Sequence, residues 1–175
     1  MSTFALISGS LRADSINSTL LQLAAGALPA DARTESVRIG DLPFYNEDHD
    51  RGTPPEPVAR LRAQLGAADG LLVSTPEYNG SISGVLRNAI DWASRPRGAS
   101  ALDGKPVAIL AASPSPNAAE WARLELERSL GVAGARLIGH VGVGGAAAAK
   151  LAVGDLDAAV GAEVRALVAK LVDAA

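Results

Sequence analysis

The stretch Pro76-Glu77-Tyr78-Asn79-Gly80-Ser81-Ile82-Ser83-Gly84 decides the fold, because it joins an apolar run to an amphipathic helix through a polar loop. The run before it, Leu71-Leu72-Val73, is typical of a strand that is buried on both faces. After it, apolar residues recur at i, i+3, i+4 and i+7 from Leu86 and form one stripe of a helix. A strand-loop-helix unit of this kind places its loop at the carboxyl edge of a parallel sheet, where a flat ligand can bind.

Five β-type runs alternate with five helical patterns along the chain. Strands are predicted at residues 3–8, 34–39, 70–75, 107–112 and 136–141. Helices are predicted at residues 15–27, 57–65, 85–93, 118–130 and about 155–172. Right-handed crossovers applied to this βα repeat give an α/β fold, a doubly wound three-layer sandwich around a parallel sheet. Gly144-Gly145 and the four alanines that follow fit either a flexible loop or the start of a helix.

The composition fits one globular domain over residues 1–175, with 48% hydrophobic and 20% charged residues. A net charge of -3 with 16 scattered Lys and Arg residues gives no basic field for nucleic acid. Cysteine is absent and the two histidines are far apart in sequence, so no disulfide, thiolate chemistry or metal site is predicted. The chain starts in a strand pattern and has no apolar run of about 18 residues, so we expect a cytoplasmic protein.

A second polar loop, residues 8–17, follows the first strand. Arg12 lies against the positive end of the helix dipole there, and a bound anion would make this placement favourable. The Arg12 guanidinium, the hydroxyls of Ser10 and Ser15, the Asn17 amide and the first backbone N–H groups of the helix match the oxygens of a terminal phosphate. The alternative is that Ser15 or its neighbour only caps the helix and Arg12 is a solvated surface charge.

The glycine patterns of dinucleotide and ATP sites are incomplete here. G-x-G-x-x-G fails after Gly9, and G-x-x-x-x-G-K-[ST] is absent, which favours a mononucleotide phosphate. Gly142, Gly144 and Ala147 do satisfy G-x-G-x-x-[GA] after the fifth strand. A dinucleotide fold, however, needs a further strand, and only about one helix of chain remains, so a flexible loop is the simpler interpretation.

Four segments carry a family resemblance: residues 9–12 with 15–17, 41–48, 76–92 and 124–130. On these residues the chain resembles the NAD(P)H-dependent FMN reductases of flavodoxin-like fold, which include chromate, quinone and azo-dye reductases. The resemblance implies a five-stranded parallel sheet in the order 2-1-3-4-5, bound FMN, and NADPH or NADH as hydride donor. It also implies a small-molecule electron acceptor and a homodimer or homotetramer with the site near the subunit interface.

The residues that the resemblance assigns to FMN lie in three loops: Ser10, Arg12, Ser15, Ile16, Asn17, Pro76, Glu77, Tyr78, Asn79, Gly80 and Ser113. Backbone amides around Asn79 and Gly80 are expected to hydrogen-bond the N5 and O4 edge of the flavin ring, while Tyr78 covers an apolar part of the site. No catalytic side chain is expected, because the flavin itself carries the hydride. The alternative is that residues 77–83 form only a capped strand-to-helix turn, with Ser83 as N-cap.

One segment departs from the family. After the fourth strand the family usually has Ser-Pro-Gly and then a glycine pair, whereas this chain has Ser113-Pro114-Ser115-Pro116-Asn117-Ala118-Ala119. The missing glycines are expected to reshape the wall where hydride donor and acceptor enter.

The predicted function is an NAD(P)H oxidoreductase that passes hydride through bound FMN to quinones or other small oxidants, such as chromate, azo compounds or free flavin. The alternative is a flavodoxin-type electron carrier. A carrier of this type is usually strongly acidic and flanks its flavin with aromatic residues. The net charge of -3 and the 3% aromatic content fit that role poorly.

Overall fold

The computed structural model describes residues 1–175 and contains a five-stranded parallel sheet in the order β2-β1-β3-β4-β5. The strands are β1 (Thr3–Ser8), β2 (Arg33–Val37), β3 (Gly70–Thr75), β4 (Pro106–Ala112) and β5 (Arg136–Val143). The helices are α1 (Ile16–Ala25), α2 (Glu47–Asp50), α3 (Glu56–Ala67), α4 (Gly84–Ala93), α5 (Glu120–Val132), α6 (Gly145–Leu151) and α7 (Ala158–Ala174). The predicted α/β fold and strand order are confirmed. None of the helices is long and apolar enough to cross a membrane.

Two short helices were not assigned from the sequence. Helix α2 lies between the second predicted strand and the second predicted helix, and it has a side-chain cap, since the Asn46 side chain accepts a hydrogen bond from the Asp48 N–H at 2.9 Å. The run of glycine and alanine after β5, which fitted a loop or a helix start, forms helix α6. Helix α5 begins two residues later than expected, because Ala118 and Ala119 have left-handed backbone conformations.

The sheet is covered on both faces, which gives the three layers. Helices α3, α4 and α5 contribute to one cluster of 24 buried apolar residues, which contains the fully buried Trp92. Helices α1, α6 and α7 pack a second cluster of 17 on the opposite face. Strands β3 and β4 are buried along their whole length, as their mostly apolar sequences favour, and each fully buried Leu or Ile contributes about 1.5–3 kcal/mol.

The loops after β1 and β3 meet at one point of the carboxyl edge. The two strands end in register, with Ser8 beside Ser74, and the strand order reverses there. The Gly9 N–H donates to the Ser74 carbonyl oxygen at 2.7 Å, and the Ser83 hydroxyl donates to the Gly9 carbonyl oxygen at 2.5 Å. A Cβ at Gly9 would lie 3.0 Å from a Leu86 methyl carbon and 3.1 Å from the Ser74 oxygen, so glycine permits this close approach.

Asn17 anchors the first turn of α1 to the carboxyl ends of β3 and β4. Its amide nitrogen donates to the Ala112 carbonyl at 3.0 Å, and its amide oxygen accepts from the Ala112 N–H at 2.8 Å and from the Ser74 hydroxyl at 3.1 Å. The residue is 2% exposed. This differs from the expectation that the Asn17 amide binds a phosphate, because the side chain is bonded to the sheet. What Asn17 offers a ligand is its backbone N–H.

The substitution Asn17→Ala is expected to lower the free energy of unfolding by about 2 to 4 kcal/mol, because buried polar groups of Ala112 and Ser74 lose their partner. Chemical denaturation monitored by circular dichroism measures the change. Asn46→Ala is the matched control, since it removes an exposed helix cap and should cost about 1 kcal/mol or less. Equal effects of the two substitutions would contradict the anchoring role.

Candidate functional site

A cleft of about 280 Å³ opens at the carboxyl edge between the loops after β1, β3 and β4. Nine of the eleven predicted site residues line it: Ser10, Arg12, Ser15, Ile16, Asn17, Pro76, Glu77, Tyr78 and Ser113. The remaining two, Asn79 and Gly80, are exposed in the turn that follows Tyr78. Ala152, at the end of α6, also lines the cleft. Sequence reasoning had no signal for Ala152, because only the packing of α6 brings it there.

The N-terminus of α1 forms the polar end of the cleft. Ser15 is the N-cap, and its hydroxyl accepts a hydrogen bond from the Ser18 N–H at 3.4 Å. The N–H groups of Ile16 and Asn17 have no acceptor within the protein. Capping and anion binding are therefore compatible, because the cap occupies one N–H and leaves two at the positive end of the helix.

The charges around this helix start fit a phosphate monoester. Arg12 is exposed and lines the cleft, and its guanidinium has no partner within the protein. The Ser10 and Ser15 side chains are almost buried, at 9% and 4% exposure. Asp14 lines the same cleft, and its carboxylate would repel a bound anion. The positive charge of Arg12 is therefore partly offset by this negative charge. Two free N–H groups, two hydroxyls and one guanidinium remain as a donor set for phosphate oxygens.

The loop after β3 is a tight turn. The Tyr78 N–H donates to the Ser81 carbonyl at 2.9 Å, and the Ser81 N–H donates back to the Tyr78 carbonyl at 3.1 Å. The two central residues, Asn79 and Gly80, have φ of 53° and 71°, as a type I′ turn requires. Asn-Gly is the pair that adopts this turn most readily. Ser83 caps α4 through the Leu86 N–H at 3.4 Å, so the capped-turn interpretation also describes this segment correctly.

Glu77 uses its carboxylate to hold the start of α5. One oxygen accepts from the Asn117 amide at 3.2 Å, and the other accepts from the Ala122 N–H at 3.2 Å. The N-cap residue of α5, Ala119, has no side-chain hydrogen bond, so Glu77 replaces the missing cap and complements the helix dipole. Glu77 therefore faces a ligand through its backbone while its side chain connects two loops.

A second carboxylate, Glu125, was not identified from the sequence. It accepts hydrogen bonds from the Ser81 hydroxyl and from Arg87, and Arg87 also donates to the Ser129 hydroxyl at 2.8 Å. The hydrogen bond from Ser81, opposed by partial burial and reinforced by Arg87, holds the pKa of the Glu125 carboxyl below its usual value. No sequence pattern signals this contact, since Ser81 and Glu125 are 44 positions apart.

The loop after β4 contains two alanines in the left-handed backbone conformation that glycine adopts most readily. Ala118 and Ala119 have φ of 52° and 56°, in the left-handed region that costs an alanine about 1–2 kcal/mol. Both alanines lie in the segment after β4 that departs from the family resemblance by its lack of glycines. This loop therefore carries two strained alanines a few residues after Ser113 and Pro114, which line the cleft.

Gly142 and Gly144, which matched a dinucleotide pattern, allow the end of β5 to pack closely against this loop. A Cβ at Gly142 would lie 2.8 Å from the Ala118 carbonyl oxygen, and one at Gly144 would lie 2.7 Å from the Ser115 carbonyl oxygen. The element that follows α6 is helix α7, where a dinucleotide fold would have a strand.

A doubly wound parallel sheet in this strand order, with a donor-rich helix start and a glycine-bearing turn at its switch point, defines a protein of flavodoxin-like fold. The chain belongs to the family of NADPH-dependent FMN reductases, which matches residues 2–150. The description of the family names FMN and NADPH, in agreement with the chemistry that the sequence resemblance implies.

Curated relatives and a solved structure agree with this family. An NAD(P)H-dependent FMN reductase of Pseudomonas aeruginosa is 55% identical over 108 residues, which are 61% of this chain and 57% of the relative. A 2-hydroxy-1,4-benzoquinone reductase of a Burkholderia species is 49% identical over 109 residues, 62% of this chain and 59% of the relative. The chain thus spans less than two thirds of these relatives. The flavoenzyme NAD(P)H:(acceptor) oxidoreductase of Paracoccus denitrificans superimposes with a TM-score of 0.81 and 32% identity, over 99% of this chain and 96% of that one.

The substitution Ala118→Gly is expected to raise the free energy of unfolding by about 0.5–1 kcal/mol. Relief of the left-handed strain outweighs the greater freedom that glycine gives the unfolded chain. Urea denaturation measures the gain. Ala166→Gly, at an exposed position inside α7, is the control and should lower stability by about 1 kcal/mol. A loss of stability in both variants would contradict the strain at Ala118.

Proposed function

We propose that the protein is an FMN-dependent NAD(P)H oxidoreductase that reduces quinones. One observation carries the proposal: the donor-rich start of α1 and the first residues of the turn after β3 line the same cleft. The relatives named as FMN reductase and benzoquinone reductase support it. When bound, FMN would supply the hydride and electron transfer, for which no protein side chain is needed.

The residues of the chain bind and orient in this proposal. The Ile16 and Asn17 N–H groups, with Arg12, would hold the phosphate at the start of α1. The backbone N–H groups of Asn79 and Gly80 are exposed at the tip of the turn. The two hydrogen bonds between Tyr78 and Ser81 hold this tip, so its N–H groups suit the polar edge of a flavin ring. Tyr78 is 48% exposed beside them and offers an apolar face.

The acceptor is proposed to be a small oxidant that reaches the cleft from solvent. Quinones are favoured, since curated relatives from Burkholderia and Pseudomonas putida are named quinone reductases. Chromate, azo compounds and free flavin stay predicted acceptors, and NADPH and NADH are both predicted donors. Release of reduced FMN to another enzyme would use the same chemistry. A cytoplasmic location is also still a prediction.

Self-association is proposed from the outer face of α5. Trp121, Leu124 and Val132 are 60%, 50% and 67% exposed, although large apolar side chains are usually covered. Trp121 also approaches Gly80, where an added Cβ would lie 3.4 Å from the indole ring, so this face adjoins the site. A homodimer, or a homotetramer built from it, would cover these side chains. The sequence fitted either a core or an interface position for Trp121, and its exposed side chain excludes the core.

A flavodoxin-type electron carrier is the alternative function, and the observations favour it less. The exposed aromatic side chains near the turn are Tyr78 and Trp121, while the other edge of the cleft is formed by Ser113 and Pro114. A carrier that flanks its flavin with aromatic rings needs a second ring on that edge. The family to which the chain belongs is one of reductases.

The function is tested by saturating the purified protein with FMN, desalting it, and following oxidation of NADH and NADPH with and without a quinone. Retained yellow colour and quinone-dependent turnover with the protein alone are expected. Retained flavin with turnover only after a separate reductase is added would identify a carrier. A colourless protein after desalting would contradict the flavin site itself.

The substitution Arg12→Ala is expected to weaken FMN binding about tenfold, because a charge-assisted hydrogen bond to the phosphate contributes about 1.5–3 kcal/mol. Quenching of FMN fluorescence on titration with protein measures the dissociation constant. Riboflavin, which lacks the phosphate, should bind wild type and variant equally. Arg51→Ala is the control, because Arg51 is 70% exposed on a different surface and pairs with Glu47 and Asp48. Unchanged FMN affinity in Arg12→Ala would place the phosphate elsewhere.

A further inference from the structure

We propose that Glu125 is a positioning residue that fixes the turn of residues 78–81 in the orientation that receives the flavin. The link to flavin rests on the proposed function, whereas the link to the turn rests on contacts within the chain. Glu125 lies in one of the segments that carry the family resemblance, but no role is assigned to it there, and it does not line the cleft. It acts through Ser81.

The turn is closed on itself and therefore moves as one unit. Its two backbone hydrogen bonds join Tyr78 to Ser81, and its tip, Asn79 and Gly80, is exposed. These bonds fix the shape of the turn but not its direction. The direction depends on contacts at its base, where Ser81 is half-buried.

Glu125 supplies a contact at that base and is itself held firmly. The Ser81 hydroxyl donates to one carboxylate oxygen and the Arg87 guanidinium to the other. Arg87 is fixed in turn by the Ser129 hydroxyl, which donates to the Glu125 carbonyl at 2.7 Å. The side chains of Arg87 and Glu125 are 35% and 23% exposed, so this network is partly shielded from water. The turn, α4 and α5 are thereby joined through one carboxylate.

Glu77 holds the opposite flank of the same turn. It binds the start of α5 through Ala122 and Asn117, so the turn is attached to α5 on both sides, by Glu77 before it and by Glu125 after it. Loss of Glu125 leaves the Glu77 contacts and the Ser83 cap in place. The expected effect is therefore local loosening of the turn within an intact fold.

The experiment compares Glu125→Ala with Glu127→Ala in the full chain, before and after saturation with FMN. Both residues lie on α5 and alanine is a strong helix former, but Glu127 is 43% exposed and faces His140 at 3.5 Å. Hydrogen exchange of the Tyr78 and Ser81 amides should be about tenfold faster in Glu125→Ala, and the dissociation constant of FMN about fivefold higher. Glu127→Ala should leave both unchanged.

Ser81→Ala separates positioning from a general structural role, since it breaks the link to the turn and keeps the pair of Glu125 with Arg87. It should reproduce the faster exchange and the weaker FMN binding with little change in melting temperature. Unchanged exchange at the turn in both variants overturns the proposal, and so does faster exchange spread over the whole sheet. Failure of the wild type to bind FMN would refute the proposed function, while exchange in the FMN-free chain would still decide the role of Glu125.

Discussion

The hydrogen bonds of one glycine fix the distance between the two halves of the site. Gly9 donates its N–H to the end of β3 and accepts at its carbonyl from Ser83, the cap of α4. Because both backbone groups are engaged, the loops after β1 and β3 cannot separate without breaking buried hydrogen bonds. A side chain at Gly9 would collide with Leu86 and Ser74. The spacing of the two loops is therefore fixed by backbone contacts, and the side chains that line the cleft are added to it.

Helix α5 gives the site its second support. It receives the Glu77 carboxylate at its first turn and presents Glu125 to Ser81 one turn later. Ser83 also ties the segment after β3 to the loop after β1, and the two carboxylates add an attachment on the side of α5. In the proposed function, this attachment would preorganise the exposed amides at the tip of the turn for a planar cofactor.

The fold could be predicted because its signals are local. Strands β3 and β4 are nearly continuous apolar runs, and Asn79-Gly80 is a pair that strongly favours one turn type. The roles of polar side chains were less predictable. Asn17 has the right chemistry for a phosphate but bonds to Ala112 and Ser74, and Glu125 meets Ser81 across 44 positions. Such contacts depend on how layers pack, which no short sequence pattern encodes.

Strand β2 lies at one edge of the sheet and exposes most of its residues, in contrast to the buried strands beside it. Its outer N–H and C=O groups form an open template on which a strand from another molecule could add. The strand is short, and it carries Arg33 and Glu35 where an aggregating segment would carry apolar residues. Charge on β2 therefore opposes pairing of this open edge with a strand of another molecule.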